Sequence, residues 1–153
     1  MSITIHTRQG KEVANFQSKT LSPFQQNQMA PTRIKYQKSM IAIRCHSSGF
    51  YNCHGMTFAG RRTEIYDSGE VKRIIVEDDY DEIRLDQILP GDVMLYFADD
   101  GDVEHSAIIV EKPSVPFNIP MVCSKWGCHW EVIHWANDCP YNMSQARYYR
   151  ISK

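Results

Sequence analysis

The sequence predicts an α+β fold, in which a helix that begins at a cysteine is followed by an antiparallel sheet. The helix is indicated by Asn52-Cys53-His54-Gly55, because asparagine caps helix starts and apolar residues follow at helical spacing. The sheet is indicated by the apolar run at residues 93–97, which follows a Pro-Gly-Asp turn. Further short apolar runs separated by turn residues continue to the end of the chain.

The elements before this helix are the hardest to assign. Residues 24–29 are compatible with a short helix, and residues 39–44 look like a buried strand. A turn at residues 47–49 separates that strand from the helix at Cys53. We therefore treat the chain as a single domain, 1–153, with a weakly assigned segment at 1–40 and a core at 41–153.

After the helix, the pattern changes to that of a sheet. Strand and helix pieces are expected near residues 71–76 and 80–88, and the acidic run 77–82 is expected to be a solvated loop or helix start. Strands are then predicted at residues 93–97, 105–111, 121–125 and 147–151, with a hairpin turn at 99–102.

The overall numbers describe an ordinary globular protein. Of the 153 residues, 42% are hydrophobic and 23% are charged. The net charge of −1 lacks the basic excess of nucleic-acid binders, so we expect no nucleic-acid partner. No apolar stretch approaches the ~20 residues that span a bilayer, and no signal peptide is visible. We expect no membrane partner, and a protein that is cytoplasmic as synthesised or secreted without a cleavable signal peptide.

Cys53 and His105 are the candidate catalytic residues. A helix N-terminus and a nearby imidazole both lower a thiol pKa, and the backbone N–H at a helix start stabilises an oxyanion. His105 opens the returning strand, where we expect it to be partly exposed and free to act as a base. Ser124, on the next strand, is the predicted group that orients its ring. An inert buried thiol is the ordinary alternative, but a core helix rarely begins with polar and small residues.

Several segments of the sequence resemble segments of a known family of cysteine peptidases. Asn52-Cys53-His54-Gly55 resembles the Asp-Cys-Ser-Gly segment of NlpC/P60 cysteine peptidases, in which the cysteine is the nucleophile. The run from Pro90-Gly91-Asp92 and the strand that starts at His105 are similar to that family's next two strands. Ser124-Lys125-Trp126-Gly127 resembles the Asn-Ser-Trp-Gly of papain-type proteases, which carries the orienting asparagine. The chain differs from NlpC/P60 enzymes in having Ser124 where they usually have histidine, and His54 where they have serine.

The resemblance implies a papain-like fold and a thiol-dependent amide-bond hydrolase. Cys53 would form an acyl-thioester that water activated by His105 hydrolyses, with Asn52, His54 and Trp126 around an oxyanion or substrate pocket. The implied substrate is a peptide or bacterial peptidoglycan. The chain could then be an antibacterial effector or toxin domain, with a cognate immunity protein or inhibitor as partner.

Two other functions stay open at this point. The same thiol could serve a protease, deamidase or acyl transferase that acts on a protein. The fold could also be a non-catalytic binding or immunity module.

The cysteines leave a structural alternative. The chain has five, an odd number, and none forms the Cys-x₂-Cys pair typical of structural zinc sites. We therefore predict no metal and no other cofactor. A disulfide between Cys128 and Cys139 is possible if the protein works outside the cytosol.

Overall fold

The computed structural model describes residues 1–18, 20–114 and 116–153. Its helices are α1 (Pro23–Tyr36), α2 (Cys53–Phe58), α3 (Ser68–Glu77) and a short 3₁₀ helix (Leu85–Gln87). Its strands are β1 (Ala42–Cys45), β2 (Tyr80–Ile83), β3 (Val93–Phe97), β4 (Val103–Glu111), β5 (Met121–Lys125), β6 (Glu131–Trp135) and β7 (Arg147–Ile151).

These strands form one sheet of seven in the order β1-β6-β5-β4-β3-β7-β2. Every pair of neighbouring strands is antiparallel. The predicted α+β class is therefore confirmed. Within the described residues, no helix is long and apolar enough to cross a membrane.

The apolar run of β3 is continuous because both faces of the strand are buried. Val93 and Leu95 pack with α3 in one hydrophobic cluster. Met94 and Tyr96 point the other way into a second cluster. The strand therefore lies in the middle of the core, as its sequence indicates.

Three assignments near the chain start and sheet edge need correction. The N-terminal helix α1 runs on to Tyr36 through Pro31, although the sequence suggested a short helix at 24–29. The strand β1 lies at the edge of the sheet and all four of its residues are exposed, so the prediction of a buried strand is wrong. The acidic run 77–82 forms the end of α3 and most of β2 rather than a loop or helix start.

The helix α2 begins at Cys53, as predicted, because Asn52 caps it. The Asn52 Oδ1 atom accepts hydrogen bonds from the backbone N–H of Gly55 at 2.9 Å and of Ile65 at 3.1 Å. The Asn52 Nδ2 atom donates to the Ile65 carbonyl at 2.8 Å. One side chain thus fixes both the helix start and the loop that follows the helix, and α2 packs against β4 and β5.

The strand β4 begins at Val103, two residues earlier than predicted. His105 is consequently inside the strand, opposite Tyr96 of β3, and none of its surface is exposed. The expectation of a partly exposed histidine at the mouth of a strand is wrong. The strand β4 lies between β3 and β5 inside the sheet, so His105 has a neighbouring strand on each side of β4.

Candidate active site

The thiol of Cys53 lies at the wall of a cavity of about 320 Å³. The side chain is 5% exposed, so the thiol is nearly covered yet borders open space. The cavity forms where the start of α2 meets the loop after it and the loops after β5 and β6. Its lining residues are Gln25, Asn52, Cys53, His54, Glu64, Tyr66, Val103, Glu104, Gly127, Cys128 and Tyr141.

Two imidazoles govern the ionisation of this thiol. Burial alone would raise the pKa of Cys53, because a thiolate is poorly stabilised away from water. The imidazoles of His54 and then His105 outweigh burial, because each ring in its charged form stabilises the thiolate, and they hold the pKa of Cys53 well below its ordinary value. The arrangement therefore favours a reactive thiolate.

His105 is held by aromatic packing rather than by hydrogen bonds. Its ring stacks on Tyr141 with 3.7 Å between centroids and 6° between planes. The edge of Tyr96 lies against it at 5.1 Å. Both ring nitrogens are buried and have no hydrogen-bond partner among the residues that the structure describes. Burial lowers the pKa of His105, which favours a neutral ring that can accept a proton.

His54 is held by hydrogen bonds on the face of the sheet that packs against α2. Its Nδ1 atom lies 2.9 Å from the Ser106 Oγ atom. The same serine oxygen lies 3.0 Å from the hydroxyl of Thr57, which donates to the Cys53 carbonyl at 2.9 Å. Burial alone would lower the pKa of His54, but the charge of Cys53 outweighs it and raises that pKa.

Ser124 has a different partner from the one that the sequence suggested. Its Oγ atom lies 2.7 Å from Nε2 of His134, on the neighbouring strand β6. The indole N–H of Trp126 donates to the same oxygen at 3.1 Å. No hydrogen bond joins Ser124 to His105 in the described part of the chain. The orienting role predicted for Ser124 thus has no support in the geometry, because β6 supplies a histidine that competes for the serine.

Trp126 belongs to the core and not to the cavity wall. It is 1% exposed and packs edge-on against Tyr36 at 5.6 Å and His134 at 5.3 Å. Of the three residues predicted around a pocket, Asn52 and His54 do line the cavity. Asn52 is also committed to capping, so its side-chain amide is already hydrogen-bonded on both atoms.

Several residues at the site were not identified from the sequence. Ser106 was missed because alternation along a strand turns it to the opposite face from His105, and His105 was the residue expected to face Cys53. Glu64 and Tyr66 come from the loop after α2, and Tyr141 comes from the irregular segment after β6. No local pattern places these three near Cys53, because only the long-range packing of loops brings them there.

Glu64 is an unusual member of the cavity wall. The residue is 2% exposed, and its Oε2 atom has no hydrogen-bond partner within the described ranges. Burial raises the pKa of its carboxyl, although hydrogen bonding from Tyr66 and then the charge of Lys125 oppose the shift. Lys125 is itself fully buried, donating from Nζ to the carbonyl oxygens of Ser48 at 2.9 Å and Gly127 at 2.8 Å.

Replacing Glu64 with glutamine should stabilise the protein at neutral pH. The raised pKa means that the unfolded state loses the Glu64 proton at a lower pH than the folded state does. Ionisation therefore destabilises the wild-type fold as pH rises through the ordinary glutamate value of about 4.3. We expect the E64Q variant to exceed wild type in free energy of unfolding at about pH 7 and to match it near pH 3.

Urea denaturation of both proteins at the two pH values tests this expectation. The E111Q variant serves as the control, because Glu111 is exposed at the end of β4 and has no side-chain hydrogen bond or ion pair among the described residues. A stability difference for E64Q that does not change with pH would contradict the burial of an ionisable Glu64.

All five cysteines are free thiols in the structure, including Cys128 and Cys139. No group of three or more histidine, cysteine, aspartate or glutamate side chains in the described ranges is arranged to hold a metal ion. Comparison with known proteins finds no matching family model, no matching curated protein and no matching solved structure.

Proposed function

We propose that the protein is a thiol-dependent amide-bond hydrolase in which Cys53 is the nucleophile and His105 is the base. The observation that carries the proposal is the position of the Cys53 thiol at a cavity wall, with two imidazoles that lower its pKa. A buried structural cysteine has neither an open cavity nor cationic partners, and burial raises its pKa.

The chemistry follows from the positions of these groups. The Cys53 sulfur adds to a substrate carbonyl in the cavity and forms a tetrahedral oxyanion. The backbone N–H groups of Cys53 and His54, the first two of α2, have no partner within the helix and are available to stabilise that oxyanion, whereas the N–H of Gly55 is bound by the cap. The C–N bond then breaks as the leaving amine takes up the proton that the imidazole had accepted from the thiol, and an acyl-thioester remains on Cys53. A water that loses its proton to His105 then attacks the thioester and releases the acid.

The ordered resemblance to NlpC/P60 peptidases supports a papain-like assignment and a peptide or peptidoglycan substrate. The cavity has carboxylates from Glu64 and Glu104 in its wall and no lysine or arginine among its described lining residues. This charge distribution is compatible with a peptide that carries amide or ammonium donors. A protease, deamidase or acyl transferase acting on a protein would use the same thiol chemistry and is the second candidate.

Selective alkylation tests the proposal without knowledge of the substrate. With iodoacetamide at about pH 6, we expect Cys53 to react faster than the exposed Cys45, because only a thiolate reacts readily. Peptide mapping by mass spectrometry locates the label, and the C53A variant serves as the control. A non-catalytic binding module predicts no preference for Cys53, so equal labelling of Cys53 and Cys45 would overturn the enzyme proposal.

The substrate is tested separately with purified peptidoglycan. Wild-type protein should release peptide fragments that mass analysis detects, and C53A should release none. If wild type leaves the wall polymer intact but changes the mass of a protein substrate, the second candidate replaces the first.

A further inference from the structure

We propose that His54, held by Ser106, is the imidazolium that pairs with the Cys53 thiolate, while His105 stays neutral as the base for water. This inference rests on the proposed function and assigns separate tasks to the two histidines. His54 is 3% exposed, is adjacent to Cys53 on α2 and lines the same cavity. The geometry of its hydrogen bonds carries the argument.

The chain of hydroxyl groups fixes which ring nitrogen of His54 bears a hydrogen. The Thr57 hydroxyl donates its single hydrogen to the Cys53 carbonyl. Ser106, 3.0 Å away, must therefore donate to the Thr57 oxygen. The Ser106 oxygen is then left to accept from His54 Nδ1–H at 2.9 Å.

This direction leaves Nε2 of His54 as the ring nitrogen with a free lone pair. The thiol proton of Cys53 can move to Nε2, so that the S–H bond breaks, an N–H bond forms and the electron pair stays on sulfur. The resulting imidazolium keeps its Nδ1–H hydrogen bond to Ser106, and the raised pKa of His54 is consistent with a proton retained on the ring. No reactant beyond the two side chains is needed.

The charge of Cys53 favours a proton on His105, but burial outweighs it and keeps the pKa of His105 lowered. Neither of its nitrogens has a hydrogen-bond partner in the described part of the chain, and stacking on Tyr141 fixes only the plane of the ring. A neutral ring accepts a proton without first losing one. His105 is not among the described residues that line the cavity, so water reaches its nitrogens only when the Tyr141 side chain, which stacks on the ring, moves aside.

Other titratable groups lie around the thiol and contribute to the pH dependence of its ionisation. The same groups are present in wild type and in each variant below, so they do not alter the comparison. They are Glu64, Tyr66, Glu104, Lys125, Cys128 and Tyr141.

The test is the pH profile of Cys53 alkylation by iodoacetamide in wild type, H54Q, S106A and H105Q. We expect H54Q to shift the profile to higher pH by about one unit, which lowers the rate on the rising part of the profile by on the order of tenfold. S106A should shift the profile in the same direction by less, since the ring remains but loses its acceptor. H105Q should shift it least.

The matched control is H134Q, which removes another buried histidine that is hydrogen-bonded to a serine but does not line the cavity. Its alkylation profile should equal that of wild type.

If circular dichroism shows that H54Q does not fold, the S106A variant decides the matter. A shift of its alkylation profile to higher pH supports the inference, and an unchanged profile overturns it. A profile that H105Q shifts and H54Q does not would also overturn the inference, yet would leave the thiol hydrolase intact. Equal reactivity of Cys53 and Cys45 in wild type would instead overturn both.

Discussion

An alanine at position 55 is expected to destabilise the fold by about 3 kcal/mol, the upper end for overpacking in a tight core. A Cβ atom at Gly55 would lie 1.7 Å from the carbonyl oxygen of Thr63 and 2.8 Å from its carbonyl carbon. Both are backbone atoms, so no side-chain rotation relieves the clash. Gly55 is therefore needed for the close approach of α2 to the following loop, and not for a positive φ.

The loop cannot easily retreat from the added methyl group. The Thr63 hydroxyl is fixed by Asn15 at 2.8 Å and by the Phe16 carbonyl at 2.9 Å. Urea denaturation measures the effect on the free energy of unfolding. The control is G69A, since the new Cβ there meets only the movable side chain of Asp67 at 3.0 Å, and a change within about 1 kcal/mol is expected. If G55A unfolds at the urea concentration of wild type, the close approach is not present in solution.

Removing the imidazole of His105 should have the largest effect on turnover. With p-nitrophenyl acetate as a simple acyl donor, we expect H105Q to slow steady-state hydrolysis by roughly 10²–10⁴-fold, the contribution typical of a positioned base. Acylation of Cys53 should persist, because the thiolate keeps His54 as its partner. The acetyl-enzyme should therefore accumulate and appear by mass spectrometry as one acetyl group on Cys53.

The control for this experiment is again H134Q, whose turnover should stay close to wild type. An H105Q enzyme that loses acylation and turnover together would show that His105 is needed to form the thiolate. Hydrolysis by H105Q at the wild-type rate would show that His105 takes no part in the reaction.

The elements that the sequence predicted correctly carry local signals. Asn52 before Cys53 has the side chain of an N-cap, and residues 93–97, 121–125 and 147–151 follow turn residues as apolar or aromatic runs. Such signals depend on neighbours within a few residues, so they can be interpreted without knowledge of the fold.

The features that were missed depend on distant parts of the chain. The strand β6 escaped detection because it buries Glu131 and His134, which are polar. Glu131 is tolerated because Arg61 and Tyr51 hydrogen-bond to its carboxylate from segments some 70 to 80 residues away. Without β6, Ser124 seemed free to orient His105.

The different surroundings of His54 and His105 also could not be predicted from the sequence. His105 matched a strand-borne base, but its burial depends on Tyr141, in an irregular segment with no pattern of its own. The sequence suggested His54 only as a pocket residue. Its hydrogen-bond partner Ser106 lies 52 positions away, so no local pattern pairs the two. Only the packing of α2 on β4 brings the two together.

The backbone of Phe16 exchanges two hydrogen bonds with that of Glu64, at 2.9 and 2.8 Å, so the N-terminal segment braces the loop that forms one wall of the cavity. The Gln17 side chain adds a contact to the Arg62 carbonyl. The N-terminal segment, whose sequence shows the weakest structural pattern, thus helps to hold in place the cavity wall beside the reactive thiol. Trimming residues 1–18 should therefore disturb the cavity wall beside the nucleophile, although the removed segment lies outside the predicted catalytic core.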